Sequence, residues 1–228
     1  MRLHPNEWGR LIDLYLIGAN SPTLAGKLNR SVPVVAKALR ILRACMVSDV
    51  PEIFSGTVEV DETYLGGQWK NKRKGVKVQE EPSKRGRGTT KQPVFGILAR
   101  NGQVWAELVD DVEAADLLPL ITKQVTKGTK ICSDTWRAYT GLAAKGYVHR
   151  TVEHGEGEFV RGKNHINGLE GFWGFLKRKL ASKVGIRRHY LPLFLGEYVW
   201  RYNHRRESLD EQRRKLLLLL NRRFGASY

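Results

Sequence analysis

Three carboxylates stand out by type and spacing: Asp61 in "VEVDETYLGG", Asp134 in "ICSDTWRAYTGL" and Glu170 in "KNHINGLEGFWGFLKRKL". Asp61 closes one apolar stretch and Asp134 another, 73 positions on; Glu170 follows 36 positions later, early in a helical pattern. Adjacent strands bring such ends together. Phosphoryl transfer with two hard divalent ions needs carboxylates held by different elements around one point. Mg²⁺ takes oxygen ligands in octahedral geometry, and two ions about 3.5–4 Å apart can stabilise both the attacking and the leaving oxygen. Glu62 sits beside Asp61, but alternation along a strand puts Asp61 on a face with Glu59 and Glu62 on the face of Val58 and Val60. Asp61 is therefore the working group expected here, and Glu62 a supporting one.

The rest of the chain asks for a polyanion. Its 228 residues carry 39 Lys and Arg against 23 Asp and Glu, a formal net charge of +16 and a pI near 10.0. Such a balance favours nucleic acid as partner. Carboxylates beside DNA phosphates would repel the substrate unless cations bridge them, which is the chemical reason for acids in a basic chain. The longest purely apolar run, Leu216–Leu220, is far short of a membrane span, so no membrane is expected. Only Cys45 and Cys132 occur, without CxxC spacing, which argues for a reducing compartment and against a zinc ribbon. His149 and His154 with Cys132 lack the spacing of a structural zinc site.

Elements that could position these groups follow from periodicity. Residues 1–50 read as helices: Trp8, Leu11, Ile12 and Tyr15 make one stripe, Ser21 with Pro22 opens a short helix, and Val34, Ala38, Leu39 and Leu42 make the buried stripe of the next. Short helix, tight turn and basic helix is a helix-turn-helix pattern, with Lys37, Arg40 and Arg43 outward; an ordinary helical cap has the same pattern. From residue 55 the chain reads as strands: "TVEVDETYLG", then "PVFGILAR" and "QVWAELVD" joined at Asn-Gly. A helix containing Pro119 follows, kinked or starting late there, then a strand ending at Asp134, a further helix, a strand "YVHRTVEH" and helices from about residue 164 onward. This order fits an RNase H-like α/β fold, a mixed sheet flanked by helices. Between the first two strands, residues 70–91 hold nine Lys or Arg and two acids; Lys72, Arg73, Lys74, Arg85 and Arg87 of this Gly-rich loop suit a phosphate backbone. Residues 207–228 form a last helix opened by a Ser208–Glu211 capping box, whose Leu run suits packing or dimerisation.

The three quoted strings, with "YVWRYNHRR" downstream, resemble insertion-sequence transposases of the Asp-Asp-Glu type with an RNase H-like core, in the branch related to Merlin elements. The likeness covers roughly residues 55–206. It implies that Asp61, Asp134 and Glu170 are catalytic metal ligands, that two Mg²⁺ ions (with Mn²⁺ as substitute) are the cofactors, and that double-stranded DNA, as transposon ends and target, is the partner. Activated water would nick the element ends, and the freed 3′-OH would attack target DNA in line, with no covalent protein–DNA intermediate. Some members carry Asn for the third acid. Here Asn167 and Glu170 lie three apart on one helical face, which makes Asn167 a further ligand or substrate contact. Lys177, two turns beyond Glu170, occupies the place where many relatives put a basic contact to the DNA end, with Arg178 beside it. Arg201, Arg205 and Arg206 make a basic helix end directed at DNA. His165 caps the catalytic helix or meets phosphate. Pairing two ends implies a homo-oligomer, and a bacterial host implies a cytoplasmic, nucleoid-associated protein. Many relatives begin with a zinc ribbon of two Cys pairs, absent here, which leaves end recognition to the helix-turn-helix and basic loops. A same-fold nuclease without strand transfer, and a non-catalytic DNA-binding protein, are the alternatives.

Overall fold

A computed structural model describes residues 3–49, 51, 53–66, 91–151, 167–183 and 186–225. The chain forms two compact units, one of residues 1–50 with 187–228 and the other of residues 51–186.

The second unit is built on a five-stranded mixed sheet. Its strands are β1 (Thr57–Leu65), β2 (Gln92–Ala99), β3 (Val104–Leu108), β4 (Lys130–Ser133) and β5 (Val148–Thr151), in the order β3-β2-β1-β4-β5. β1, β2 and β3 form an antiparallel meander, while β4 lies parallel to β1 and β5 parallel to β4. The β2–β3 hairpin turns at Gly102, whose φ of 88° only glycine adopts cheaply. Alternation then separates the two faces of β1. Val58 and Val60 join Phe95, Ile97, Leu117 and Ile121 in a core against the helix Ala114–Gln124 of this unit. Glu59, Asp61 and Thr63 take the opposite face.

The helix 114–124 contains Pro119 without starting late: it already runs from Ala114. The expected helix between β4 and β5 is two 3₁₀ turns, Arg137–Tyr139 and Ala143–Lys145. Gly141 and Gly146, the latter at φ 90°, interrupt this stretch before a full helix can propagate.

With helices labelled in chain order, the other unit comprises α1 (Pro5–Leu16), α2 (Ser21–Leu28), α3 (Val32–Ser48), α6 (Leu191–Asn203) and α7 (Leu209–Phe224); α4 is the helix 114–124 and α5 is Asn167–Ala181. One buried cluster joins Trp8, Leu11, Ile12 and Tyr15 to Leu24, Leu39, Leu42, Trp200 and Leu216. Residues 187–206, read from sequence as part of the catalytic domain, thus pack with the N-terminal helices. Asn20, not Ser21, caps α2, accepting the Thr23 amide at 3.0 Å. Asn29 ends α2 in the left-handed conformation, making the turn into α3. Val35 rather than Val34 is the fully buried valine of α3. The Ser208–Glu211 capping box forms as read. No described helix is long and apolar enough to cross a membrane.

Candidate active site

The parallel pairing of β1 with β4 answers why Asp61 and Asp134 occur where they do. Thr57 lies opposite Lys130, Val58 opposite Ile131 and Glu59 opposite Cys132, an offset of 73 positions. Asp61 and Asp134 are separated by the same offset: Asp61 lies two residues beyond the last paired position of β1, and Asp134 one residue beyond the end of β4, close enough for its charge to act on Asp61. Asp134 follows directly on β4, and its Oδ1 accepts the Trp136 backbone N–H at 2.9 Å. Ser133 behind it donates to the Asp134 carbonyl and shares a 2.8 Å hydrogen bond with His149 Nε2.

Electrostatics report the same crowding. Burial and then the negative charge of Glu62 push the Asp61 carboxyl up to about 7; Asp134 adds to this, while hydrogen bonds from Trp173 and the Glu62 backbone oppose it. Two hard oxygen donors near each other, one of them buried and beside other acids, are a donor set that a divalent cation would satisfy. Glu62 turns to the other face, as alternation requires. There it accepts the hydroxyl of fully buried Tyr139 at 2.7 Å. Burial, then Glu62, raises the Tyr139 pKa, so the phenol stays a donor. That bond ties the segment after Asp134 to β1.

α5 supplies the third element. Leu169 donates its backbone N–H to Glu59 Oε2 at 3.0 Å, and the Trp173 indole N–H donates to Asp61 Oδ2 at 3.0 Å. Gly96, opposite Asp61 on β2, makes room for that indole: a Cβ there would lie 2.6 Å from the ring. Glu170, between Leu169 and Trp173, is exposed in the first turn. Lys177 is one turn beyond Trp173; burial holds its ammonium below the usual lysine range, and Asp61 is the charge that pulls the other way. Asn167 is the first residue of α5. Among the described residues, Asp61, Asp134 and Glu170 included, no group of three His, Cys, Asp or Glu side chains closes around one point.

The basic residues divide by environment. Lys37 is exposed on α3, and Arg178, Arg205 and Arg206 are exposed on or after their helices. Arg40 stacks over Tyr190. Arg43 and Arg201, read from sequence as outward DNA contacts, turn inward instead. They meet the buried Glu197 at 2.7 and 2.9 Å, with side chains 11% and 18% exposed. Arg201 also donates to the Tyr15 and Leu16 carbonyls at the end of α1. Lys72, Arg73, Lys74, Arg85 and Arg87, and His154 and His165, fall outside the described residues. A cavity of about 520 Å³ is lined only by residues of the helical unit, Trp8, Asp13, Arg213 and Phe224 among them, and by none of Asp61, Asp134 and Glu170.

Sequence reasoning missed Glu59 and Trp173 as partners of the site. A carboxylate between two strand valines, on the face of Asp61, was the available signal for Glu59; Trp173, three positions after Glu170, is its counterpart on α5.

The chain is 33% identical over 102 residues to a transposase-like protein of Haemophilus influenzae, an alignment spanning 45% of this chain and 82% of that one. It is 28% identical over 178 residues to a protein in the transposable element ISH50 of Halobacterium salinarum; this spans 72% of the chain and 58% of that protein's length. Among solved structures, a pre-cleavage Mos1 transpososome is 14% identical, with TM-score 0.37, covering 96% of this chain and 79% of that one. Residues 53–203, which contain Asp61, Asp134 and Glu170, match the ISXO2-like transposase domain, and the chain belongs to that transposase family.

Proposed function

We propose that the protein is an RNase H-like DNA transposase of the Asp-Asp-Glu type, cutting the ends of its element and joining them to target DNA. What supports this reading is that Asp61 on β1 and Asp134 just after β4, on paired parallel strands, lie close enough to interact, with α5 fastened to the same face of β1. Asp61, Asp134 and Glu170 would hold divalent cations, Mg²⁺ or Mn²⁺, with Asn167 a further ligand. Such ions, when bound, supply Lewis-acid stabilisation of charge on a phosphodiester and on the oxygens that attack and leave it. The chain's own groups prepare that chemistry. Trp173 holds one oxygen of Asp61, and the Glu62–Tyr139 bond keeps the segment after Asp134 against β1. Lys177, which feels Asp61, directs a cation toward the DNA phosphate beside the carboxylates, with Arg178 alongside.

Binding of double-stranded DNA is assigned to Lys37, Arg40, Arg205, Arg206 and the 70–91 loop, and the α2–α3 pair to helix-turn-helix reading of the ends. Assembly as a homo-oligomer on paired ends, residence on the bacterial nucleoid and kinship with Merlin elements belong to the same proposal; the last rests on the motif strings alone. Duplexes made from the DNA flanking the coding region test it. Asp61→Asn, Asp134→Asn and Glu170→Gln are each expected to abolish Mg²⁺-dependent end cleavage while gel-shift binding persists. Near wild-type cleavage by any one of them removes that residue from the set. Cleavage without joined product would identify a nuclease instead.

A further inference from the structure

We infer that Glu59 is a positioning residue: its buried carboxylate grips the first turn of α5, the turn that carries Glu170, and so fixes where that turn sits on the face of β1 that bears Asp61. The inference rests on the reading of those three carboxylates given above.

Glu59 is 1% exposed in the middle of β1, between Val58 and Val60. A carboxylate buried so deeply is costly unless its charge and lone pairs are met. Here the Leu169 amide N–H meets one oxygen at 3.0 Å and the Arg100 guanidinium the other at 3.5 Å. The Leu169 amide belongs to the first turn of α5, whose N–H groups have no partner within the helix. The helix dipole favours a negative charge at that end, and a hydrogen bond to an ionised acceptor is short and strong. The approach is close: a Cβ on Gly168 would stand 3.0 Å from Glu59 Oε2 and 3.2 Å from Leu98 Cδ2.

A second fastening follows one helical turn later, where the Trp173 indole N–H meets Asp61. The two spacings are commensurate. Residues 59 and 61, on one face of a strand, are about 6.7 Å apart, and residues 169 and 173 advance about 6 Å along a helix. Pinned at both points, α5 can neither slide nor roll on β1, and Glu170 lies between the pins. An apolar residue at 59 would fill the same space yet leave the Leu169 amide buried and unmet. A role in packing alone would explain the burial of Glu59, but not its pairing with the turn that carries Glu170.

The test uses the full chain with E59A, E59Q and G168A, read by amide hydrogen exchange and by Mn²⁺ binding followed by electron paramagnetic resonance. E59A is expected to speed exchange at Leu169 about 10- to 100-fold, the factor for one hydrogen bond to a charged group, with β1 and β2 amides unchanged. E59Q keeps an acceptor and should stay within a few-fold of wild type. In Mn²⁺ binding, E170Q should weaken affinity in the parent, yet add little on top of E59A, because the E59A chain no longer presents Glu170. If E59A does not fold, G168A pushes the turn off β1 with the charge intact and should show the same local loss of protection. A uniform rise in exchange across the sheet, or an undiminished E170Q effect in E59A, overturns the inference and leaves Glu59 a packing residue. Loss of Mn²⁺ dependence on Asp61 or Glu170 in the parent would instead strike the carboxylate reading, while exchange at Leu169 still decides the clamp.

Discussion

Replacing Gly96 by alanine tests the stereochemistry of the site through a single methyl. The new Cβ would lie 2.6 Å from Cζ2 and Cη2 of Trp173, whereas carbon atoms pack at about 3.5–4.0 Å, so the indole must withdraw by about 1 Å. Its N–H now lies 3.0 Å from Asp61 Oδ2; moved by that much, it leaves hydrogen-bonding range. Overpacking a core costs about 1–3 kcal/mol, and the lost hydrogen bond about 1 kcal/mol more. For a domain of this size each kcal/mol shifts Tm by about 2–4 °C, so G96A should melt about 4–16 °C below wild type. A 1 Å displacement at a reacting centre can reduce rate about 100-fold, and end cleavage should fall on that scale. Losing the Trp173 hydrogen bond also removes a restraint on the raised Asp61 pKa, so the pH at half-maximal cleavage should move upward. Gly171→Ala is the control: nothing lies within 4 Å of its Cβ, and a helix-interior alanine stabilises by about 0.5–1 kcal/mol. Calorimetry and a gel-based cleavage assay read all three quantities. Equal melting of G96A and wild type, or equal destabilisation by G96A and G171A, would refute the packing argument.

Other expectations follow from the same contacts. Glu197→Ala leaves Arg43 and Arg201 buried without their shared anion and should cost about 3–5 kcal/mol in chemical denaturation. Glu197 is ionised at a lower pH than an ordinary glutamate, because Arg201 and Arg43 outweigh its burial. The stability it contributes is therefore present above the unfolded-state pKa and lost as pH falls through the folded one. Asp61 has the opposite sign. With its folded pKa raised to about 7, metal-free protein should lose stability as pH rises from about 4 towards 7; D61N should flatten that slope in a melting series and Mg²⁺ should offset it. Lys177→Ala should weaken end binding across sequences and reduce the salt slope by about one.

The sheet was legible because its signals are local. Two apolar runs around Asn-Gly give the hairpin, and the separation of Asp61 from Asp134 equals the register of β1 on β4. What escaped depends on partners far along the chain. Arg43 and Arg201 look like a nucleic-acid surface until Glu197, 154 positions from Arg43, draws both inward. No pattern within residues 187–206 shows that they pack with helices of residues 1–50 rather than with the sheet. The partner of Glu59 escaped because an isolated strand does not reveal that a helix turn 110 positions away supplies its hydrogen-bond donor. The Tyr139–Glu62 bond escaped for the same reason, across 77 positions.

The most direct test of the central proposal is the fate of a labelled duplex. It would be built from the repeats flanking the coding region and incubated with purified protein and Mg²⁺, with products resolved on a denaturing gel before and after protease. The proposal requires EDTA-sensitive nicks at the element ends bearing 3′-OH groups, followed by joined product with target DNA, all absent from D61N and D134N. Cleavage that persists in EDTA, or DNA that enters the gel only after protease because a side chain is covalently attached to it, would contradict it.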